Sequence, residues 1–196
     1  MKLNKKSFSK IYSDCWKYIK SCKIQIYSVI SLFFLFAFIG FFVPVPGELM
    51  NQILDYIRKI LEQTKGMSTF QLISFIFFNN LQASLMSLLF GFFLGIFPIL
   101  FTILNGYILG FVASLAVGQE GFLSLLSLFP HGVFELPAVF ISLGIGLRLG
   151  AFIFQKNKKE FFKKNMPNAM KVFLFMVVPL LLVAAIIEGI LIFLIK

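Results

Sequence analysis

The sequence predicts an all-α fold: a polytopic membrane helix bundle with about five transmembrane helices, an N-terminal and an extracytoplasmic interfacial helix, and a re-entrant or interfacial segment. Three observations carry this expectation. The chain is 59% hydrophobic and only 13% charged, with a mean hydropathy of +0.94, so a water-soluble domain of this composition would expose more apolar surface than water tolerates. No charged residue occurs between Lys65 and Glu120, a length that accommodates two spans of about 20 residues each. Phenylalanine occurs 28 times, as suits side chains facing both lipid and one another.

A single membrane domain is expected over residues 1–196. Residues 1–23 read as a basic interfacial helix, because Phe8, Ile11, Tyr12, Cys15, Ile19 and Cys22 recur at helical spacing while Lys5, Lys6, Lys10, Lys17 and Lys20 point elsewhere. Trp16, Tyr12 and Tyr18 suit the headgroup layer of such a helix. The first span covers residues 24–43 and stops at Pro44-Val45-Pro46-Gly47. Seven lysines precede it, which places the N-terminus in the cytoplasm by the positive-inside rule. Residues 48–62 form an external amphipathic helix with Leu49, Ile53, Leu54, Ile57 and Leu61 on one face and the pairs Asp55/Lys59 and Arg58/Glu62 on the other. The simplest expectation is that it docks on its own bundle.

Ser68 and Gln71 have capping-box spacing and open the second span, residues 70–97. Asn80, Ser84, Ser87, Gly91 and Gly95 fall on one stripe of it, a pattern that lets backbones approach closely. The third span, residues 99–117, follows Pro98 and carries a matching stripe with Gly106 and Gly110. Its Asn105-Gly106 pair is expected to weaken or locally unwind the helix. Residues 122–130 are apolar but too short to cross, hence a re-entrant or interfacial piece. Pro130 and Gly132 then suit a loop turning into the fourth span, residues 132–153, which carries Gly146 and ends near Arg148, a side chain able to snorkel to the surface. Lys156, Lys158, Lys159, Lys163, Lys164 and Lys171 mark the next loop as cytoplasmic. Pro167 suits the first turn of a last helix, whose span is residues 172–195 and which is kinked at Pro179. The C-terminus is then outside the cell.

Cys15 and Cys22 show no metal-binding or CxxC spacing, and a cytosolic location keeps them reduced. The net charge of +10 sits in lysine blocks beside spans, so it reads as a topology signal and membrane-lipid contact, with no nucleic acid implied.

The most distinctive chemistry is the single histidine, His131, four residues before Glu135. On a helix the two share a face, and a charge at mid-bilayer costs about 2.5 to 3.5 kcal/mol on insertion scales, so Glu135 needs a partner, a proton or water. Glu188 lies at a comparable depth on the last helix. The candidate intramembrane cluster is therefore His131, Glu135, Glu188, Asn80 and Asn105, serving either as a polar packing clamp or as a proton or ion site. The small residues Ser84, Ser87, Gly91, Gly95, Gly106, Gly110 and Gly146 are assigned to helix packing. No catalytic residue, cofactor or metal is expected: HExxH and Gly-x-Ser-x-Gly are absent, no second histidine can serve as base, and there is no phosphate-binding glycine loop.

The residues Asn79-Asn80, Asn105-Gly106 with Gly110, and Pro130-His131-Gly132-x-x-Glu135-x-Pro137 followed by Gly144-x-Gly146 together resemble the stage II sporulation protein M family. The likeness covers most of residues 70–150. It implies a multi-span, non-enzymatic protein of the cell membrane that scaffolds or positions other membrane or envelope proteins. In spore formers those are the cell-wall-degrading partners of an engulfment complex. A second copy of the chain is a further candidate partner. The alternative from the residues themselves is a small carrier, channel or lipid-moving protein using the Glu/His/Asn cluster.

Overall fold

The computed structural model describes residues 5–43 and 47–195, and the side chains of 5–8, 49, 126–131 and 193–195 are not among the described ones. The described residues are helical apart from short turns, without strands. The elements are α1 (Lys5–Ser21), α2 (Lys23–Phe42), α3 (Gly47–Thr64), α4 (Thr69–Leu89), α5 (Ile96–Glu120), α6 (Leu125–Gly150), α7 (Lys158–Val172) and α8 (Val178–Ile195). Five stretches are long and apolar enough to cross a membrane: Lys23–Phe42, Thr69–Phe92, Ile96–Glu120, Gly132–Phe154 and Lys158–Ile192. The chain is an all-α membrane bundle. The expected stop at Pro44 to Pro46 lies outside the described residues.

α6 is the central helix. Half of its spanning window is buried, against 17–28% for the other four. On one side it packs with α4 and α8 through Ala138, Ile145, Leu149, Leu88, Val177 and Leu181. On the other, Phe140 and Leu143 meet Val29 and Phe33 of α2, with Phe101 and Leu109 of α5 against them. The low burial of the outer helices is what a lipid-solvated bundle requires, since apolar surface needs no cover in hydrocarbon.

Glycine sets the closest helix approaches. A Cβ on Gly110 would collide with the Ala37 carbonyl, and one on Gly106 with that of Phe33, so α5 lies backbone to backbone on α2. Gly91 and Gly146 oppose each other in the same way and join α4 to α6. The two small-residue stripes therefore serve separate seams, and neither matches the other.

Several boundaries differ from the sequence reading, each for a local reason. Residues 122–130 are continuous with the fourth span: a 3₁₀ turn, Phe122–Ser124, leads into α6 at Leu125, and the helix runs on through Pro130 and Gly132. An apolar segment has no better way to satisfy its backbone than a helix, and Pro130 removes only one ladder bond near the helix end. α5 is likewise unbroken at Asn105-Gly106; Asn105 Nδ2 donates back to the Phe101 carbonyl at 2.8 Å. The second span closes earlier than residue 97, with a 3₁₀ turn at Phe90–Phe92 and left-handed Leu94 and Gly95 reversing the chain.

The lysine-rich loop is also a helix. Asn157 caps it by accepting from the Glu160 N–H at 3.2 Å, while its own Nδ2 donates to Glu160 Oε2 at 3.0 Å. Pro167 is consequently interior to α7 and does not open the last helix. A π-helical turn, Phe173–Val177, joins α7 to α8 just before Pro179, where the missing N–H leaves the Phe175 carbonyl without its ladder donor. α3, expected to dock on the bundle, forms no packing seam with another helix among the described residues; Ile53 is the one described apolar residue of it that is buried.

Candidate functional site

α4, α6 and α8 meet towards the end of the bundle where α4 begins. Ser68 fixes that start: it accepts from the Gln71 N–H at 3.4 Å, and Gln71 Oε1 accepts from the Ser68 N–H at 2.9 Å. Leu72 and Ile76 pack on Ala185, and Ile73 lies against Gly189, which holds α8 in register with α4. Glu188, next to Gly189, thereby lies nearer the start of α4 than Asn80 does. From the central helix comes Glu135, flanked by Pro137, whose ring leaves the Val133 carbonyl without a helical donor.

All three side chains are half-buried. The Asn80 side chain is a hydrogen-bonding neighbour of the Glu135 carboxyl, and the Glu188 carboxyl stands close enough to act on it as a like charge. Two carboxyls in apolar surroundings beside one amide can share a proton or hold a cation between them. They can equally serve as a polar tie among three helices. Among the described residues no three His, Cys, Asp or Glu side chains group as a metal ion requires.

The other two candidates stand differently. The backbone of His131 is helical and one turn before Glu135, and its side chain is outside the described set. Asn105 is not brought to the cluster: it is exposed on α5 and bonded to its own helix. Of the packing residues, Ser87 Oγ donates to the Ala83 carbonyl at 2.7 Å, whereas Ser84 Oγ is buried with no hydrogen-bond partner among the described residues, as is Ser142 Oγ on α6.

A second polar group lies at the opposite end of α6. Arg148 reaches the end of α1: its Nη1 donates to the Ser21 carbonyl at 3.0 Å. Tyr18 and Cys22 are buried beside it. Burial pushes the Tyr18 hydroxyl and the Cys22 thiol above their ordinary ranges, with Arg148 pulling both the other way. Both groups are therefore neutral and chemically quiet. This lock joins residues 127 positions apart, a separation at which no sequence pattern could have shown it.

α1 also packs along α7, so the two lysine-rich segments occupy one end of the bundle. Residues 29–191 match the family model described as Stage II sporulation protein M. No curated protein and no solved structure is matched.

Proposed function

The chain belongs to the stage II sporulation protein M family, and on that premise we propose that it acts without catalysis, as a cell-membrane scaffold that assembles or positions other membrane or envelope proteins. The observation that carries this reading is α3. It is an amphipathic helix whose Leu61 is 62% exposed and which forms no packing seam with another helix among the described residues, as a docking element for another protein should. In this reading α1 and α7 face the cytoplasm, α3 and the C-terminus lie outside, and the wall-degrading partners implied by the family approach through α3.

The test is photo-crosslinking in native membranes from Tyr56 and Leu61. Adducts with envelope proteins are expected, and Ile57→Ser with Leu61→Ser should abolish them. Adducts with lipid alone would count against the scaffold.

A second reading, a small carrier, channel or lipid-moving protein, is favoured by the meeting of Glu135, Glu188 and Asn80 in one place. Proteoliposomes containing the purified chain discriminate between the two. Proton or cation flux that is lost in folded Glu135→Gln supports the conduit, and silence from both proteins supports the scaffold.

A further inference from the structure

α4 presents a face of amides and phenylalanines that the bundle leaves largely uncovered. A shallow groove of about 490 Å³ runs along it, with Gln71, Ser74, Phe78, Asn79 and Gln82 of α4 among its lining residues. The other faces of α4 are in use: Leu72 and Ile76 pack towards α8, and Ser87 and Leu88 lie against Gly146 of α6. Asn79 and Gln82 are exposed, and Phe78 is 63% exposed.

Depth makes this surface significant. The span Thr69–Phe92 has 24 residues, about 36 Å at 1.5 Å per residue. Asn79 then lies about 15 Å and Gln82 about 20 Å from its start, in the middle of a hydrocarbon layer about 30 Å thick. Lipid tails offer no hydrogen bonds. The one described bond of the Asn79 amide is a long one, 3.4 Å to the adjacent Asn80 Oδ1, and Gln82 has none among the described residues. α3 cannot cover these amides, since Asp55, Arg58, Lys59 and Glu62 would have to enter the bilayer with it.

We propose that two copies of this chain pair in the membrane along this face of α4, with Asn79 and Gln82 of each copy hydrogen-bonding the same residues of the other. Copies inserted by one route share one orientation, so a two-fold axis along the membrane normal brings equal depths together. An amide both donates and accepts, so it is complementary to itself across such an axis. The face carries no charge that would call for a partner of opposite sign. Gln71, Phe75, Phe78 and Gln82 are spaced four, three and four apart, the 3.5-residue repeat that keeps one stripe against a parallel neighbour. The phenylalanines fill the seam and the amides fix its register.

The experiment uses the full chain in native membranes and in liposomes. Cys15 and Cys22 are buried, so single cysteines introduced at Gln82 or Phe78 can be oxidised with copper phenanthroline over a low background. A disulfide-linked dimer is expected from Gln82→Cys and Phe78→Cys, and monomer from Leu104→Cys, which is exposed on α5. In single-molecule photobleaching, Asn79→Leu with Gln82→Leu should reduce the dimer fraction at least tenfold at equal density. The proposal is overturned by a parent chain that stays monomeric, by equal crosslinking at Leu104, by a double variant that still dimerises, or by a Gln82 adduct to a different protein alone.

Discussion

Gly110 lies against the Ala37 carbonyl, and Gly91 against the backbone of Gly146, so a side chain at either must push two helices apart. Backbone neighbours cannot turn aside as a flexible side chain would. Overpacking of this kind costs about 1–3 kcal/mol. Gly110→Leu and Gly91→Leu are therefore expected to lower stability by that amount, measured as loss of helicity during denaturant titration in mixed micelles. Gly118, also on α5, faces open space, with no neighbour within 4 Å of the point a Cβ would occupy, and Gly118→Ala should change stability by less than about 0.5 kcal/mol. Glycines within one span look alike in the sequence. Only the seam each joins tells a glycine that must stay from one that need not.

Among the elements, α1 is tied to α6 by a single side-chain hydrogen bond among the described residues. The Arg148 guanidinium reaches across from α6 to the Ser21 carbonyl, and Tyr18 and Cys22 are buried around it. Arg148→Gln removes a charged donor, at a net cost of about 1 kcal/mol for a partly solvated bond. The expected result is a looser α1: trypsin should cut faster after Lys10, Lys17 and Lys20, and Cys22 should react with maleimide several-fold faster than in the parent chain. Unchanged rates for both would show that apolar packing by Ile11, Tyr18 and Ile19 suffices. α7 makes the complementary point. Its start is written in Asn157 and Glu160, three residues apart as a cap requires, yet the surrounding lysines suggest a loop to anyone counting charge.

At the scale of the molecule, the five spans and the packing of α1 on α7 make a definite topology testable. An odd number of crossings puts the termini on opposite sides, and lysine clustering at one end favours that end as cytoplasmic. Single cysteines at Lys20 and Lys163 are expected to be shielded from an impermeant maleimide in intact cells, while one at Gln63 on α3 is labelled. Labelling at Lys163 with shielding at Gln63 would invert the bundle, and α3 would then face cytoplasmic partners.

Much of this was legible from residue order. Hydropathy alone fixes the number of spans, because the bilayer demands about 20 apolar residues per crossing whatever the packing. The capping box at Ser68 and the amphipathic character of α3 follow from local spacing, which is why they agree with the structure.

Tertiary structure alone decided which helix each face meets. In lipid an apolar face gains little from being covered, so hydrophobicity does not mark the interior of a bundle as it does in water. That is why the stripes of α4 and α5 turned out to serve α6 and α2, why Asn105 was left on the outside, and why the amides of Asn79 and Gln82 stand uncovered. Pro130 makes the same case: it signals a break where the backbone has water to turn to, but in hydrocarbon the helix remains the only structure that satisfies the neighbouring N–H and C=O groups.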